Sequence, residues 1–263
     1  MDNISTMSKQ QLNEVKIILT DIDDTLTTEG RLKSNAYTAL ENLSNSGFIV
    51  IPVTGRCAGW CDHIARMWPV NGVVGENGAF FFSYDHQSKK MQQTYCQTPK
   101  ERKENHLALH EIKKTILKNV SGSALASDQD YRHTDLAIDF AEDVATLSSN
   151  KIKEIVTIAE NAGAIAKVSS IHVNCWIGRH NKLSTSLTTL EQVFGVSNSN
   201  IQNEVLFIGD SPNDSMMFDY FNKSVGVANV MDFIKELDKP PKYITLNHSG
   251  EGFVELADSL LRR

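Results

Sequence analysis

At 263 residues the chain can form one large domain or two modest ones, each with its own core. An apolar fraction of 41%, a charged fraction of 22% and a net charge of −6 are those of a soluble globular protein, and with no basic patch they speak against a nucleic-acid partner. No apolar run reaches membrane-spanning length and the first residues lack signal-peptide order, so no membrane partner and a cytoplasmic location are expected.

In chain order, the apolar run Val15–Leu19 predicts a buried strand. Ser34–Ser46 carries Ala36, Leu40 and Leu43 at helical spacing, with Gly47 placed as a C-terminal cap. Phe48–Val53 is a second strand, Ala58–Met67 a helix ended by Pro69, Gly72–Val74 a third strand and Ala79–Tyr84 a fourth. This βαβαβ rhythm implies a parallel sheet with right-handed crossovers. Met91–Tyr95 can pair back as a hairpin after a polar turn. A helix over Pro99–Lys118, strands over Asp135–Phe140, Ile165–Ser169 and Ile171–Ile177, and a helix over Lys151–Asn161 then read as an α+β segment with an antiparallel sheet. The α/β rhythm returns with a helix at Asn181–Phe194, a buried strand at Glu204–Ile208 and a helix at Asp214–Phe221. A strand at Val225–Val227, a helix at Met231–Leu237, a strand at Tyr243–Thr245 and a helix at Gly252–Leu261 complete it. The expected architecture is an α/β, Rossmann-like parallel-sheet core, residues 1–97 and 179–263, interrupted by an inserted α+β domain at 98–178. No internal repeat or low-complexity tract is visible.

Two acidic clusters stand at predicted strand ends. Asp21-Ile22-Asp23-Asp24-Thr25 follows the first strand, and Gly209-Asp210-Ser211-Pro212-Asn213-Asp214 follows the strand ending at Ile208. Paired carboxylates at the end of a buried strand are costly unless a cation sits between them. In an open α/β sheet the carboxyl ends of strands also face the ligand crevice. Either cluster alone reads equally as a solvated loop or a helix cap; two in matching contexts point to one crevice with oxygen ligands suited to Mg²⁺. Thr54-Gly55-Arg56, again after a strand, can hold an oxyanion through Thr54 and the Gly55 amide, and Lys182 can neutralise a phosphoryl group. Taken singly, these are an ordinary turn and a surface lysine. The cysteines, Cys57, Cys61, Cys96 and Cys175, lack the spacing and partners of a zinc site and read as incidental thiols.

Together these elements resemble the haloacid dehalogenase superfamily, in the family's order and over most of the core. The insert is similar to the large α/β cap of its Cof-type (C2, or IIB) branch, which includes sugar-phosphate phosphatases, and Glu76-Asn77-Gly78-Ala79 resembles that branch's sequence after its third strand. One departure is Asp24, where many members carry Gly. The resemblance implies a Mg²⁺-dependent phosphatase of a small phosphorylated metabolite, a sugar phosphate being the expected class. Asp21 would be the nucleophile, Asp23 the general acid and base, and Thr54, Gly55 and Lys182 the holders of the phosphoryl oxygens, with Asn213 adding a hydrogen bond. The Asp21 carboxylate, the Asp23 backbone carbonyl and Asp210 would hold the metal, with Asp214 acting through water or orienting Lys182. Nothing favours Mn²⁺ over Mg²⁺.

Leaving-group contacts are expected from Arg56 and Asn77 near the crevice, and from Arg132, His133, Asp135, His172 and Asn174 in the insert. His172 and Asn174 share a strand face, and Arg132 can clamp a second anion or a hydroxyl pair. Trp60 is expected to pack between helix and insert, and Phe80–Phe82 to be sheet core. Two other readings stand beside this one: a phosphomutase resembling phosphomannomutase, and a non-catalytic binding module, which the intact Asp21, Asp23, Lys182 and Asp210 argue against. The oligomeric state and the substrate's identity are not encoded in any motif.

Overall fold

The computed structural model describes residues 1–169 and 171–263. In chain order, β1 (Asp2–Asn3), α1 (Lys9–Glu14), β2 (Ile17–Thr20), α2 (Ser34–Asn45), β3 (Ile49–Pro52), α3 (Ala58–Met67), β4 (Val73–Gly75), β5 (Phe80–Asp85) and β6 (Lys90–Tyr95) come first. Next are α4 (Pro99–Asn119), β7 (Ala124–Leu125), β8 (Asp135–Asp139), α5 (Ser149–Asn161), β9 (Ile165–Val168) and β10 (His172–Trp176). The chain closes with α6 (Lys182–Gln192), α7 (Asn198–Glu204), β11 (Val205–Gly209), α8 (Ser215–Tyr220), β12 (Lys223–Gly226), β13 (Tyr243–Ile244) and α9 (Ser249–Leu261).

The main sheet has six strands in the order β1-β13-β12-β11-β2-β3, every pair parallel. Its central strands β2, β3 and β11 are apolar runs without the alternation of a half-wet sheet, as strands buried on both faces require. One apolar cluster, with Ile18, Leu40, Phe80, Ile208 and Phe253, covers one face, and a second, with Leu19, Ile51, Phe207 and Phe218, covers the other. From β2 the chain crosses to β3 on one side, while β11 pairs β2 on the other, so β2 and β11 flank the point where the winding reverses. Ile208 stands opposite Thr20 in this pair, and the Asp21 amide donates to the Ile208 carbonyl at 2.9 Å. That register sets the two acidic clusters side by side.

The inserted segment builds its own antiparallel sheet, β7-β8-β10-β9, under α4 and α5, with an apolar cluster of its own that includes Ile112, Ile116, Ile138, Ile155 and Val173. Thr98 opens α4 with a reciprocal cap to Glu101 and a proline follows it, which fixes where this helix begins.

The structure departs from the sequence reading in three places. The fourth predicted strand does not continue the parallel sheet: β4, β5 and β6 form a separate antiparallel sheet, tied to β3 by a single parallel bridge between Val53 and Val74. The tight turn at residues 76–78 reverses the chain and leaves no room for a crossover. The predicted helix Met231–Leu237 is a 3₁₀ segment, Ala228–Phe233. The polar stretches of α1 and α7 had no helical apolar pattern to reveal them; Ser8 caps α1 in a box with Gln11. The thiols of Cys57, Cys61 and Cys175 are buried and unpaired, and burial raises all of them, Cys57 to about 11.

Candidate active site

Three adjacent strand ends supply the site. Asp21 follows β2, Asp210 follows β11 and Thr54 lies two residues beyond β3. The Val53 amide is bound to the Thr20 carbonyl at 2.8 Å, which holds the Thr54 loop beside Asp21. Lys182 enters from α6, whose N-cap Asn181 is locked in a reciprocal bond with Ser184. Gly78, at φ +100°, lies under that helix start; a Cβ there would strike the Asn181 carbonyl, so only glycine allows this approach. The Gly78 carbonyl also accepts from Thr185 Oγ1 at 2.5 Å.

Lys182 Nζ lies 2.6 Å from Asp21 Oδ1 and 2.8 Å from Asp214 Oδ1. Asp214, fully buried, accepts from the Asp210 amide with its other oxygen at 3.2 Å. A side chain at Gly209 would collide with this carboxylate, which explains the glycine before Asp210. One carboxylate oxygen from each of Asp21, Asp210 and Asp214 lies within 4.8 Å of the others. Among the described residues, the Asp210 carboxylate is held only by long contacts, Thr25 Oγ1 at 3.5 Å and Asn229 Nδ2 at 3.4 Å. Burial raises the Asp21 carboxyl to about 8 against the pull of Lys182, with Asp214 and Asp23 adding to the rise. Asp210 is likewise raised well above its ordinary value, first by burial and then by Asp21 and Asp214. One ammonium faces three carboxylates, so the cluster is short of positive charge. The under-bonded Asp210 oxygens make it a donor set that fits a hard divalent cation.

Asp24 adopts φ +55°, a left-handed conformation, and its carbonyl accepts from Asn229 Nδ2 at 3.0 Å. That conformation explains a glycine preference at this position; aspartate tolerates it better than most residues.

Asp23 is not part of the acidic triad. Arg56 grips it through Nε at 3.0 Å and Nη2 at 2.8 Å, while Nη1 of the same guanidinium meets Glu142 at 3.3 Å. Glu142 Oε2 lies 2.8 Å from His172 Nε2, though the ring nitrogen lacks hydrogen-bond alignment. Glu142 is pulled down to about 2, chiefly by His172 and further by Arg56. A chain of close polar contacts thus runs from Asp23 in the core to β10 in the insert. Glu142 carried no sequence signal; it is placed by Asp139, whose carboxylate accepts the amides of Ala141, Glu142 and Asp143.

Thr54 is buried, and its hydroxyl accepts from the Arg56 amide at 3.1 Å. Gly55 faces both Asn77 and Asn174: a Cβ there would stand 3.2 Å from Asn77 Oδ1 and 3.3 Å from Asn174 Nδ2. Asn77 Nδ2 and Asn174 Oδ1 are buried and have no hydrogen-bond partner among the described residues. Asn213, whose Oδ1 accepts from Ser211, lines a cleft with Asn77, Lys182 and, from the insert, Lys167 and Trp176.

Arg132 must be corrected. Its Nε and Nη2 bind the two Asp128 oxygens, at 2.9 and 3.0 Å, and its Nη1 binds Asp135 and the Gly55 carbonyl. All three guanidinium nitrogens are engaged and the group is buried, so it clamps the insert to the Thr54 loop in place of an anion; Asp135 is consumed in the same clamp. His133 Nδ1 is paired with the Tyr95 hydroxyl at 2.7 Å. Trp60 is 46% exposed and carries the Arg56 guanidinium over its ring, in place of the expected packing between helix and insert. Phe80–Phe82 is core, as read.

The model of the haloacid dehalogenase-like hydrolase family matches residues 18–255. A phosphoglycolate phosphatase of Methanobrevibacter smithii is 26% identical over 252 residues, covering 94% of this chain and 99% of the relative. Phosphoglycolate phosphatase 1 of Saccharolobus solfataricus is 25% identical over 255 residues, covering 94% and 96%. Among solved structures, a Thermoplasma acidophilum protein superposes with a TM-score of 0.71 at 18% identity, covering 94% of this chain and 98% of that one. The sucrose-phosphatase of Synechocystis, solved with sucrose and phosphate, superposes at 0.62 and 15% identity, covering 93% and 97%. With that family model spanning both halves of the main sheet and the insert between them, the chain belongs to the haloacid dehalogenase-like hydrolases and is a phosphatase.

Proposed function

We propose that this phosphatase is Mg²⁺-dependent and hydrolyses a small phosphorylated metabolite through an aspartyl-phosphate on Asp21. The observation that carries the reading is the shared ammonium of Lys182, 2.6 Å from Asp21 and 2.8 Å from Asp214, with Asp210 left under-bonded beside them. Asp21, the Asp23 backbone carbonyl and Asp210 would hold the metal, with Asp214 orienting Lys182. Bound there, the cation supplies charge that offsets the repulsion between an anionic nucleophile and an anionic substrate.

The chain's own residues do the rest. An Asp21 oxygen attacks phosphorus while the bond to the leaving oxygen breaks, and Asp23 delivers a proton to that oxygen. Asp23 then takes a proton from the water that cleaves the acyl phosphate, and free phosphate leaves. Lys182, Thr54 and the Gly55 amide hold the phosphoryl oxygens, with Asn213 at the rim. Arg56 keeps Asp23 oriented through its bidentate grip. We take residues 98–178 as a cap on a core of 1–97 and 179–263, with β10 presenting His172 and Asn174 to the leaving group. A cytoplasmic setting belongs to the same reading. Two leaving-group classes stand: a sugar phosphate, from the resemblance of the sequence, and a short acid, from the names of the sequence relatives.

The test is phosphate release across phosphorylated metabolites with Mg²⁺, with Asp21→Asn as control. Activity is expected to vanish with chelator and in that variant. Full activity of Asp21→Asn would overturn the mechanism, and retention of phosphate on a sugar without release would favour a mutase.

A further inference from the structure

We propose that Glu142, from the insert, is a positioning residue for Asp23, the proton-transferring group of the core, and acts on it through Arg56. The inference rests on the phosphatase reading above and adds to it a residue that no motif marks.

Among the described residues, Arg56 is the one hydrogen-bond partner of the Asp23 carboxylate, with Nε on Oδ2 at 3.0 Å and Nη2 on Oδ1 at 2.8 Å. Where Asp23 points is therefore decided by where the guanidinium lies. The Arg56 backbone is fixed, its amide donating to Thr54 Oγ1 and its carbonyl accepting from the Glu76 amide at 3.1 Å. The far end of so long a side chain needs anchors of its own. Two contacts besides Asp23 supply them. The Trp60 ring, 4.7 Å from Cζ, supports one face of the guanidinium plane, and Glu142 Oε1, 3.3 Å from Nη1, holds the edge that Asp23 leaves free. Stacking fixes the tilt of the plane but lets the fork turn over the ring; the carboxylate at Nη1 stops that turn.

Glu142 is itself held in place. Asp139, fully buried at the end of β8, accepts the Glu142 amide at 2.8 Å together with the amides on either side of it. Asp139 and His172 are direct cross-strand partners in the β8–β10 pair, and His172 Nε2 lies 2.8 Å from Glu142 Oε2. Both ends of the Glu142 carboxylate are thus bracketed, by the insert's own sheet on one side and by Arg56 on the other. A tie between insert and core does not need this route, because Arg132 already joins the insert to the Gly55 carbonyl. The Glu142 bridge differs in where it ends, on the side chain that gives and takes the proton. A general acid works only within hydrogen-bond reach of the leaving oxygen, and a misplacement of about 1 Å can cost about 100-fold. The seating of the insert therefore sets the aim of Asp23.

The experiment compares kcat/KM for 2-hydroxyethyl phosphate and 4-nitrophenyl phosphate with Mg²⁺ in the wild type, Glu142→Gln and Glu142→Asp. This constant covers the steps up to departure of the leaving group, which needs a proton from Asp23 in the alkyl ester and none in the nitrophenyl ester. Glu142→Gln keeps the size of a partly exposed side chain and removes its charge. It is expected to lower the alkyl ester by about tenfold and the nitrophenyl ester by less than about threefold, a fraction of what general acid catalysis supplies. Glu142→Asp, which keeps the charge but falls one methylene short of Arg56, should show the same selectivity with a smaller loss. Equal losses on the two esters would make Glu142 merely structural and overturn the proposal, as would no loss on either, with the phosphatase reading intact in both cases. If the wild type acts on neither ester, or Asp21→Asn acts on both, that reading fails instead. The positioning role is then judged by the crystal structure of Glu142→Gln, where a guanidinium turned off Asp23 supports it and an unchanged pair of bonds overturns it.

Discussion

Two buried charge clusters in this molecule share a balance of three carboxylates to one cation and have opposite characters. At the strand ends, Asp21, Asp210 and Asp214 surround Lys182. At the junction of the insert and the core, Asp128, Asp135 and Glu76 surround Arg132. The second cluster is complete. Glu76 accepts the amides of Ala58, His133 and Thr134 and the Thr134 hydroxyl, and Arg132 takes both oxygens of Asp128 and of Asp135. The first is incomplete, because Asp210 finds only contacts of 3.4 and 3.5 Å. Charge content does not separate a structural cluster from a reactive one; the bonds left unmade do.

The comparison breaks most sharply on Asp21→Asn. Phosphate release is expected to fall by about 10⁴-fold or more, the scale seen when a nucleophile is removed. Thermal unfolding should stay unchanged or shift upward, since one of three crowded carboxylates is neutralised. A loss of fold in circular dichroism would show that the first cluster is structural after all.

Glu76→Gln is the converse. An amide placed against three backbone N–H donors leaves a buried Arg132 cluster unbalanced, at a cost of about 3–5 kcal/mol. Urea unfolding would read this directly, and a change below about 1 kcal/mol would put the structural assignment of that cluster in error.

Mg²⁺ itself should distinguish the pair. Saturating metal is expected to raise the unfolding temperature by a few degrees, the result of about 1.5–3 kcal/mol of binding linkage in a chain of this size. Asp210→Asn should remove most of that shift, whereas Asp128→Asn should leave it.

The smallest effect concerns the bridge between the regions. Glu142 is depressed to about 2 from an ordinary value of 4.5. A group lowered in the folded state stabilises above its unfolded value and loses that contribution as pH falls through the folded one. Stability supplied by Glu142 is therefore full above about pH 4.5 and fades toward pH 2. Glu142→Gln should unfold more easily than the wild type at pH 6 and converge with it near pH 2. A constant difference across that range would deny Glu142 its pairing with His172 and Arg56.

The acids of the first cluster are legible from the chain alone, because short motifs at the ends of apolar strands carry them. Asp21, Asp210 and Asp214 stand out by position and the strand register sets their loops side by side, whereas Lys182 alone reads as a surface lysine and is delivered by the start of α6. Glu142 and Lys167 do not stand out, since they lie in an insert whose polar residues follow no motif. Arg132 shows the limit most clearly: a lone arginine near a crevice looks like an anion clamp until Asp128 and Asp135 are seen to consume it.

The chain's own pattern determined the parallel sheet and the acids that crowd one crevice, because strand periodicity and strand-end placement are local properties. Tertiary structure alone decided which charges are satisfied, which arginines are spent and which buried amides lie beside Gly55. Those depend on groups far apart in the chain, whose pairing exists only once the sheets have packed.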